Sequence, residues 1–243
     1  MKQKHYKVIC VGESMVGKTS LIQRYISNVF NEHGTQPTLS WDFKVKSVQL
    51  GEGDPHSSGF QPSQLVKMYV WDTAGQERYR QIARMYYNDV FGAFVCFDLT
   101  DEDSFNAVNF WLQDLNANAP KNIVKILCGL KLDLVQPMTG DQSGKRESDV
   151  IVKRGVSSEQ AQMFAQRNKM FYIEVSAKTG YNVEQAFYKM AYEVNAKTMR
   201  GSREGSRERG AKGDSRDGSE KDGSNMMQDR VKLRPSRSDA PTN

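Results

Sequence analysis

A chain of 243 residues, 38% hydrophobic and 26% charged, can bury a core of ordinary size. Its formal charge of +5 is unevenly placed: residues 200–243 hold 11 Lys and Arg against 8 Asp and Glu, so +3 of it lies there, and the near-neutral remainder argues against nucleic acid as a partner. No apolar run of eighteen residues and no basic-then-apolar leader occurs, so neither a membrane span nor a secretion signal is expected, and Cys10, Cys96 and Cys128 sit in apolar runs without metal-site spacing, as buried thiols of a reducing cytosol do.

In chain order, the apolar run over residues 6–11 reads as a first strand and the pattern over 17–28 as a first helix. Residues 43–50 and 65–71 read as two more strands, separated by residues 51–64, whose Gly, Ser, Pro and charge mark a surface-loop insertion. A second helix is expected over 81–88, a strand over 92–98, and a third helix over 103–118, stopped before Pro120. The fifth strand covers 123–128, and residues 136–153 form a second insertion of loop composition. A fourth helix begins after Ser157, which stands at capping-box spacing from Gln160, and residues 170–175 give the last strand. The fifth helix begins after Asn182, with Val183, Ala186, Phe187, Met190, Ala191 and Val194 on one apolar stripe that packs the core.

Apolar strands alternating with helices predict an α/β fold. The expected architecture is a three-layer domain over residues 1–199, with a six-stranded, mostly parallel sheet and five helices. Residues 200–243 mix Gly, Ser and both signs of charge with almost no aliphatic side chains. Such a segment cannot bury enough apolar surface to offset its ordering entropy, so a disordered tail is expected there.

The sharpest chemical signal is the run GESMVGKT from Gly12 to Thr19, which fits G-x-x-x-x-G-K-[ST] and lies between a strand and a helix, as that motif requires. Gly12 and Gly17 let the backbone through Ser14, Met15 and Val16 wrap a phosphate with its N–H groups, and the helix start, with Ser20 in its first turn, adds positive potential. Lys18 supplies a point charge at the β- and γ-phosphates, and the Thr19 hydroxyl is a ligand for Mg²⁺. A second signal is WDTAGQE over residues 71–77. Asp72, an acid at the end of an apolar strand, is placed to hold Mg²⁺ through water, and Gly75 permits close backbone approach to a γ-phosphate.

Together these segments resemble the Ras-superfamily small GTPases, and within them the Rab family. The carriers are DTAGQE over residues 72–77, then Arg78-Tyr79-Arg80 and Met85-Tyr86-Tyr87-Asn88, which are similar to a Rab pattern, and the likeness spans roughly residues 4–199. It implies a P-loop GTPase domain that binds GTP or GDP with Mg²⁺. By the same likeness Gln76 orients the attacking water and Thr38 ligates Mg²⁺ and senses the γ-phosphate, so Gln76, Lys18 and Thr38 are the candidate catalytic residues and Thr19, Thr38 and Asp72 the metal set. Phe30 matches the aromatic that packs against the guanine edge, Lys131 lays its stem along the base, and Asp133 accepts two hydrogen bonds from guanine. Ser176, Ala177 and Lys178 match the SAK loop that reaches O6 through a backbone N–H. Phe43, Trp71 and Tyr86 match the aromatic trio through which Rab effectors read the switch.

Departures accompany the likeness. The family's N-K-x-D is Leu130-Lys131-Leu132-Asp133 here, and Leu130 can neither bond to the base nor brace the P-loop, which predicts weaker nucleotide affinity and faster GDP release. Met15 replaces a small residue and Ser40 a glycine, and no Cys follows Cys128 where a Rab carries its prenylated cysteines, so any membrane contact is expected to be weak or indirect. The resemblance implies a slow GTP-hydrolysing switch of vesicle traffic, cytoplasmic or peripheral on the cytosolic face of endomembranes. It would be served by an exchange factor, effectors and a GTPase-activating protein, the last because no arginine of the chain is assignable as a finger in cis. Two alternatives stand beside it: a nucleotide-binding scaffold that no longer cycles, and a P-loop kinase or ATPase of other lineage.

Overall fold

The computed structural model describes residues 4–32, 42–52, 59–73, 84–135 and 152–211. Six strands run β1 Lys4–Val11, β2 Asp42–Glu52, β3 Gln61–Asp72, β4 Val90–Asp98, β5 Val124–Leu130 and β6 Phe171–Glu174. The helices are α1 Lys18–Ser27, α2 Glu102–Asn106, α3 Val108–Asn118, the single turn α4 Leu132–Val135, α5 Ser158–Arg167 and α6 Val183–Ala211. The strands form one sheet in the order β2-β3-β1-β4-β5-β6, antiparallel only between β2 and β3.

Burial explains the sequence pattern strand by strand. β4 and β5 are buried on both faces and therefore read as unbroken apolar runs, whereas the inner half of β3 alternates buried with half-buried residues. One face of the sheet is covered by α1 through Leu21, Ile22 and Tyr25 and by α6 through Phe187, Met190 and Val194. The other is covered by α2 and α3 through Phe105, Val108, Trp111 and Leu115 and by α5 through Ala161 and Ala165. This is the expected three-layer α/β domain. The apolar stripe from Val183 to Val194 is core, as its helical period predicts.

Local caps set the helix boundaries. Ser157 Oγ accepts the N–H of Gln160 at 3.1 Å, so the capping-box spacing is realised at the start of α5. α1 ends at Ser27, where Asn28 takes a left-handed φ of 55° and returns its N–H to the Arg24 carbonyl. The expected third helix is broken at Ala107 into α2 and α3, with Asp101 capping the first piece by accepting the Asp103 N–H at 3.0 Å.

The first insertion needs correction. Residues 51–64 are not simply a loop: Gly51 pairs with Pro62 and Glu52 with Gln61, so both strands extend into a longer hairpin and only residues 53–58 lie outside the described residues. Proline is tolerated there because the register shifts between Leu50 and Gly51, where a ladder bond is already lost. Of the second insertion, residues 136–151 lie outside the described residues, as do 81–83 of the second expected helix. Arg84 and Met85 are helical, but the helix stops short of residue 88, and Asp89 turns the chain with a φ of 59°.

The chain divides into a compact unit, Met1–Gly201, and a second unit, Ser202–Asn243, of which residues 202–211 are described and are helical. Helix therefore continues beyond residue 199, where the sequence pattern places the start of the tail. Extending an existing helix fixes one residue per bond gained, which costs less than starting a new one.

The sheet order decides where a site can form. From β1 the chain goes to β2 and β3 on one side and to β4 on the other, which opens a crevice at the carboxyl ends of the strands. Gly12, Thr73, Leu99, Lys131 and Val175 each follow directly on the end of a strand along that edge.

Candidate functional site

The loop from Gly12 to Gly17 leaves β1 and enters α1. Gly12 has a φ of 145°, and a Cβ there would stand 2.3 Å from the carbonyl oxygen of Cys96 on β4, so only glycine lets the loop back onto the sheet. Gly17, at φ 109°, is the N-cap residue and offers no side chain to the first-turn N–H groups, which are left for a ligand. Between them Val16 is buried, Ser14 is half-buried, and Met15 holds a left-handed φ of 65° with its side chain 58% exposed.

Lys18 is only 5% exposed, and its Nζ donates to the carbonyls of Gly12 at 2.9 Å and Glu13 at 2.7 Å. Burial pushes its pKa down from 10.5. The ammonium is thus held over the loop. Ser20 lies half-buried in the same first turn of α1.

Next to it, Thr19 Oγ1 donates to Asp72 Oδ2 at 2.7 Å, joining the start of α1 to the end of β3. Asp72 is 8% exposed, its pKa is raised by burial, and its Oδ1 is buried without a hydrogen-bond partner among the described residues. An unserved buried carboxylate oxygen is costly unless a cation takes it. A hydroxyl and a carboxylate are the hard oxygen donors that Mg²⁺ prefers, and Mg²⁺ takes few protein ligands because it keeps waters and phosphate oxygens. The residues present fit that ion. No group of three or more His, Cys, Asp or Glu among the described residues is arranged to hold a metal by itself.

At the other end of the crevice, Asp133 Oδ1 accepts the Ser176 hydroxyl at 2.6 Å, and Ser176 Oγ accepts the Thr179 N–H at 3.1 Å. Arg24 Nε donates to the Ala177 carbonyl at 2.6 Å and a second guanidinium nitrogen bonds the Lys178 carbonyl, so α1 carries the 176–178 loop. Lys131 has a left-handed φ of 64° and an ion pair to Asp98 at 2.6 Å. Leu130 is 2% exposed in the same apolar cluster as Val16, and a Cβ on Gly17 would lie 3.7 Å from its Cδ1. Leucine therefore meets the loop by apolar contact where an asparagine would bond. Phe30 is half-buried, three residues beyond the end of α1 rather than on it.

The aromatic trio is assembled. Phe43 and Trp71 are cross-strand partners stacked at 5.0 Å between centroids, and Trp71 meets Tyr86 at 5.0 Å. Phe43 remains 44% exposed. Thr38, Ser40, Gly75 and Gln76 lie outside the described residues.

Three contacts escape a linear reading: Asp98 with Lys131, Arg24 with the 176–178 loop, and Trp111 Nε1 donating to Glu13 Oε1 at 3.0 Å. For Asp98 a signal existed, because it ends an apolar strand as Asp72 does.

The Ras family model matches residues 7–196. The chain belongs to the Ras family. Its relatives are Rab proteins: it is 36% identical to Ras-related protein RabC of Dictyostelium discoideum over 198 residues, covering 82% of this chain and 87% of that protein. It is also 36% identical to human Ras-related protein Rab-25 over 195 residues, covering 80% and 78% of the two chains. The GTP-binding protein ypt3 of Schizosaccharomyces pombe is 35% identical over 189 residues, covering 78% and 75%. This Rab-family small GTPase belongs to a family of GTP hydrolases, and none of these findings favours the scaffold or the kinase alternative.

Proposed function

We propose that this Rab-family protein switches membrane traffic by cycling between GTP and GDP in the crevice described, using the residues named here. The N–H groups of the Gly12–Gly17 loop and Lys18 grip the β- and γ-phosphates, and Asp133 and the Ser176–Lys178 loop select guanine. Thr19, Thr38 and Asp72 would hold Mg²⁺, the last through water; when bound, the ion offsets charge that develops on the transferring phosphate. Gln76 aligns a water in line with the γ-phosphate, and Lys18 with the loop N–H groups stabilises the charge spread over its oxygens. A partner's arginine accelerates this step by about 10³ to 10⁵-fold. GTP orders the segments around Thr38 and Gly75, and effectors read that order through Phe43, Trp71 and Tyr86.

Its work is placed at the cytosolic face of endomembranes, and no described helix is long and apolar enough to cross a membrane. The observation that supports the site assignment is the 2.7 Å contact of Thr19 with Asp72, whose second carboxylate oxygen is buried without a hydrogen-bond partner among the described residues. The test is GDP release with and without excess chelator. Wild type should release GDP at least tenfold faster once Mg²⁺ is removed, and Asp72→Ala should lose that sensitivity. Retained sensitivity in the variant would remove Asp72 from the metal set.

A further inference from the structure

We propose that Asp98 is the positioning residue of the base-binding loop, fixing the Lys131 side chain in a chain whose Leu130 cannot brace that loop by hydrogen bonds. The inference rests on the nucleotide site proposed above. Asp98 closes β4 and is the register partner of Leu130 at the end of β5, so its side chain emerges one strand away from the residue that follows Leu130. Its Oδ2 lies 2.6 Å from Lys131 Nζ, and its side chain is only 9% exposed. The bond is charge-assisted, with its carboxylate end buried and the Lys131 side chain 34% exposed, and such bonds are stronger than those between neutral groups.

Asp98 is itself held at its carboxylate by Thr100 and at its backbone by Ser104. Its Oδ1 accepts the Thr100 N–H at 2.8 Å and the Thr100 hydroxyl at 2.7 Å, and its own backbone N–H donates to Ser104 Oγ at 2.9 Å. Lys131 is correspondingly fixed at both ends. Its backbone sits in the left-handed region at φ 64°, between the Leu130 carbonyl, which accepts the Leu99 N–H at 3.0 Å, and the Leu132 N–H, which donates to Val175 at 3.2 Å. A long flexible side chain with both ends fixed presents its methylene stem in one course, which is what a flat base needs from it. Leu130, buried against Val16, contributes packing but no direction.

The test measures dissociation of fluorescently labelled GDP from the full-length protein in Mg²⁺, for wild type, Asp98→Asn, Asp98→Glu, Lys131→Met and the Asp98→Asn/Lys131→Met double variant. Asparagine keeps an acceptor for Thr100 and removes the charge. Asp98→Asn should therefore release GDP about tenfold faster, the loss expected of one charge-assisted bond. Because the same bond is present without nucleotide, the melting temperature of the nucleotide-free protein should fall by no more than about 3–6 °C. Asp98→Glu should recover part of the retention, and the double variant should release GDP no faster than Lys131→Met alone. Unchanged release from Asp98→Asn, or additive losses in the double variant, would overturn the proposal by placing the effect of Asp98 in Thr100 or nowhere. Wild type that fails to retain GDP in the same assay would instead overturn the nucleotide site on which the proposal rests.

Discussion

Replacing Leu130 with asparagine should pull affinity and stability in opposite directions. Leu130 is 2% exposed within the cluster that holds Val16 and Cys128, so the variant loses most of a buried leucine, about 1.5 to 3 kcal/mol of folding free energy. For a domain of this size that lowers the melting temperature of the nucleotide-free protein by roughly 3–12 °C. The same side chain gains an amide beside Gly17, where a Cβ would stand 3.7 Å from the present Leu130 Cδ1. If that amide makes one bond to the base and one to the phosphate loop, each at about 1 kcal/mol, GDP release slows by about thirtyfold. Two assays read the two effects: thermal melting of nucleotide-free protein, and displacement of labelled GDP by excess unlabelled nucleotide. Equal release rates for the two proteins would refute the reasoning, because the apolar contact would then be as good a brace as the bonds it replaces.

Asp72→Asn should raise the melting temperature of the nucleotide-free protein at pH 7, because it removes a buried charge, while abolishing the effect of Mg²⁺ on GDP release. Burial raises the folded-state pKa of Asp72 above 3.8, so its contribution is favourable below the unfolded value and is lost as pH rises through the folded one; the gap between variant and wild type should therefore close as pH falls toward 3.8. A gap that widened on acidification would contradict the burial argument. Gly12→Ala places a methyl 2.3 Å from the Cys96 carbonyl at a backbone φ of 145°, and should cost roughly 1–3 kcal/mol or more in stability and release bound nucleotide, read by melting and by nucleotide content after purification. Gln76→Leu should bind GTP as wild type does but hydrolyse it at least tenfold more slowly in a single-turnover assay.

What the linear sequence carries well is chemistry fixed by spacing. The Gly12–Thr19 run shapes one turn and one helix start, and Asp72 ends a strand whose apolar run announces it. Phe43, Trp71 and Tyr86, which the resemblance names together, meet around the Trp71 ring. Contacts that depend on strand order are another matter. Asp98 meets Lys131 only because β4 and β5 are neighbours in a fixed register, and Arg24 reaches the 176–178 loop from a helix more than 150 residues earlier, with a sequence separation of 153 at Ala177. Asp98 is marked locally as an acid that ends an apolar strand, but nothing local names Lys131 as its partner, and nothing local marks Arg24 at all. The hairpin stem misleads for a related reason: Pro62 and Gly51 carry loop composition, yet each has a partner strand to pair with, and pairing overrides local preference. The continuation of α6 to Ala211 reflects helix propagation, which composition does not display.

Guanine retention is the most direct measurement of the central claim. Protein purified without added nucleotide, then titrated with GDP, GTP and ATP in the presence and absence of Mg²⁺, should bind both guanine nucleotides tightly, more so with the metal, and should ignore ATP; Lys18→Ala should bind none of them. Binding of ATP at the strength of GTP, or guanine binding that survives Lys18→Ala unchanged, would contradict a site in which the Gly12–Gly17 loop holds the phosphates and Asp133 selects the base.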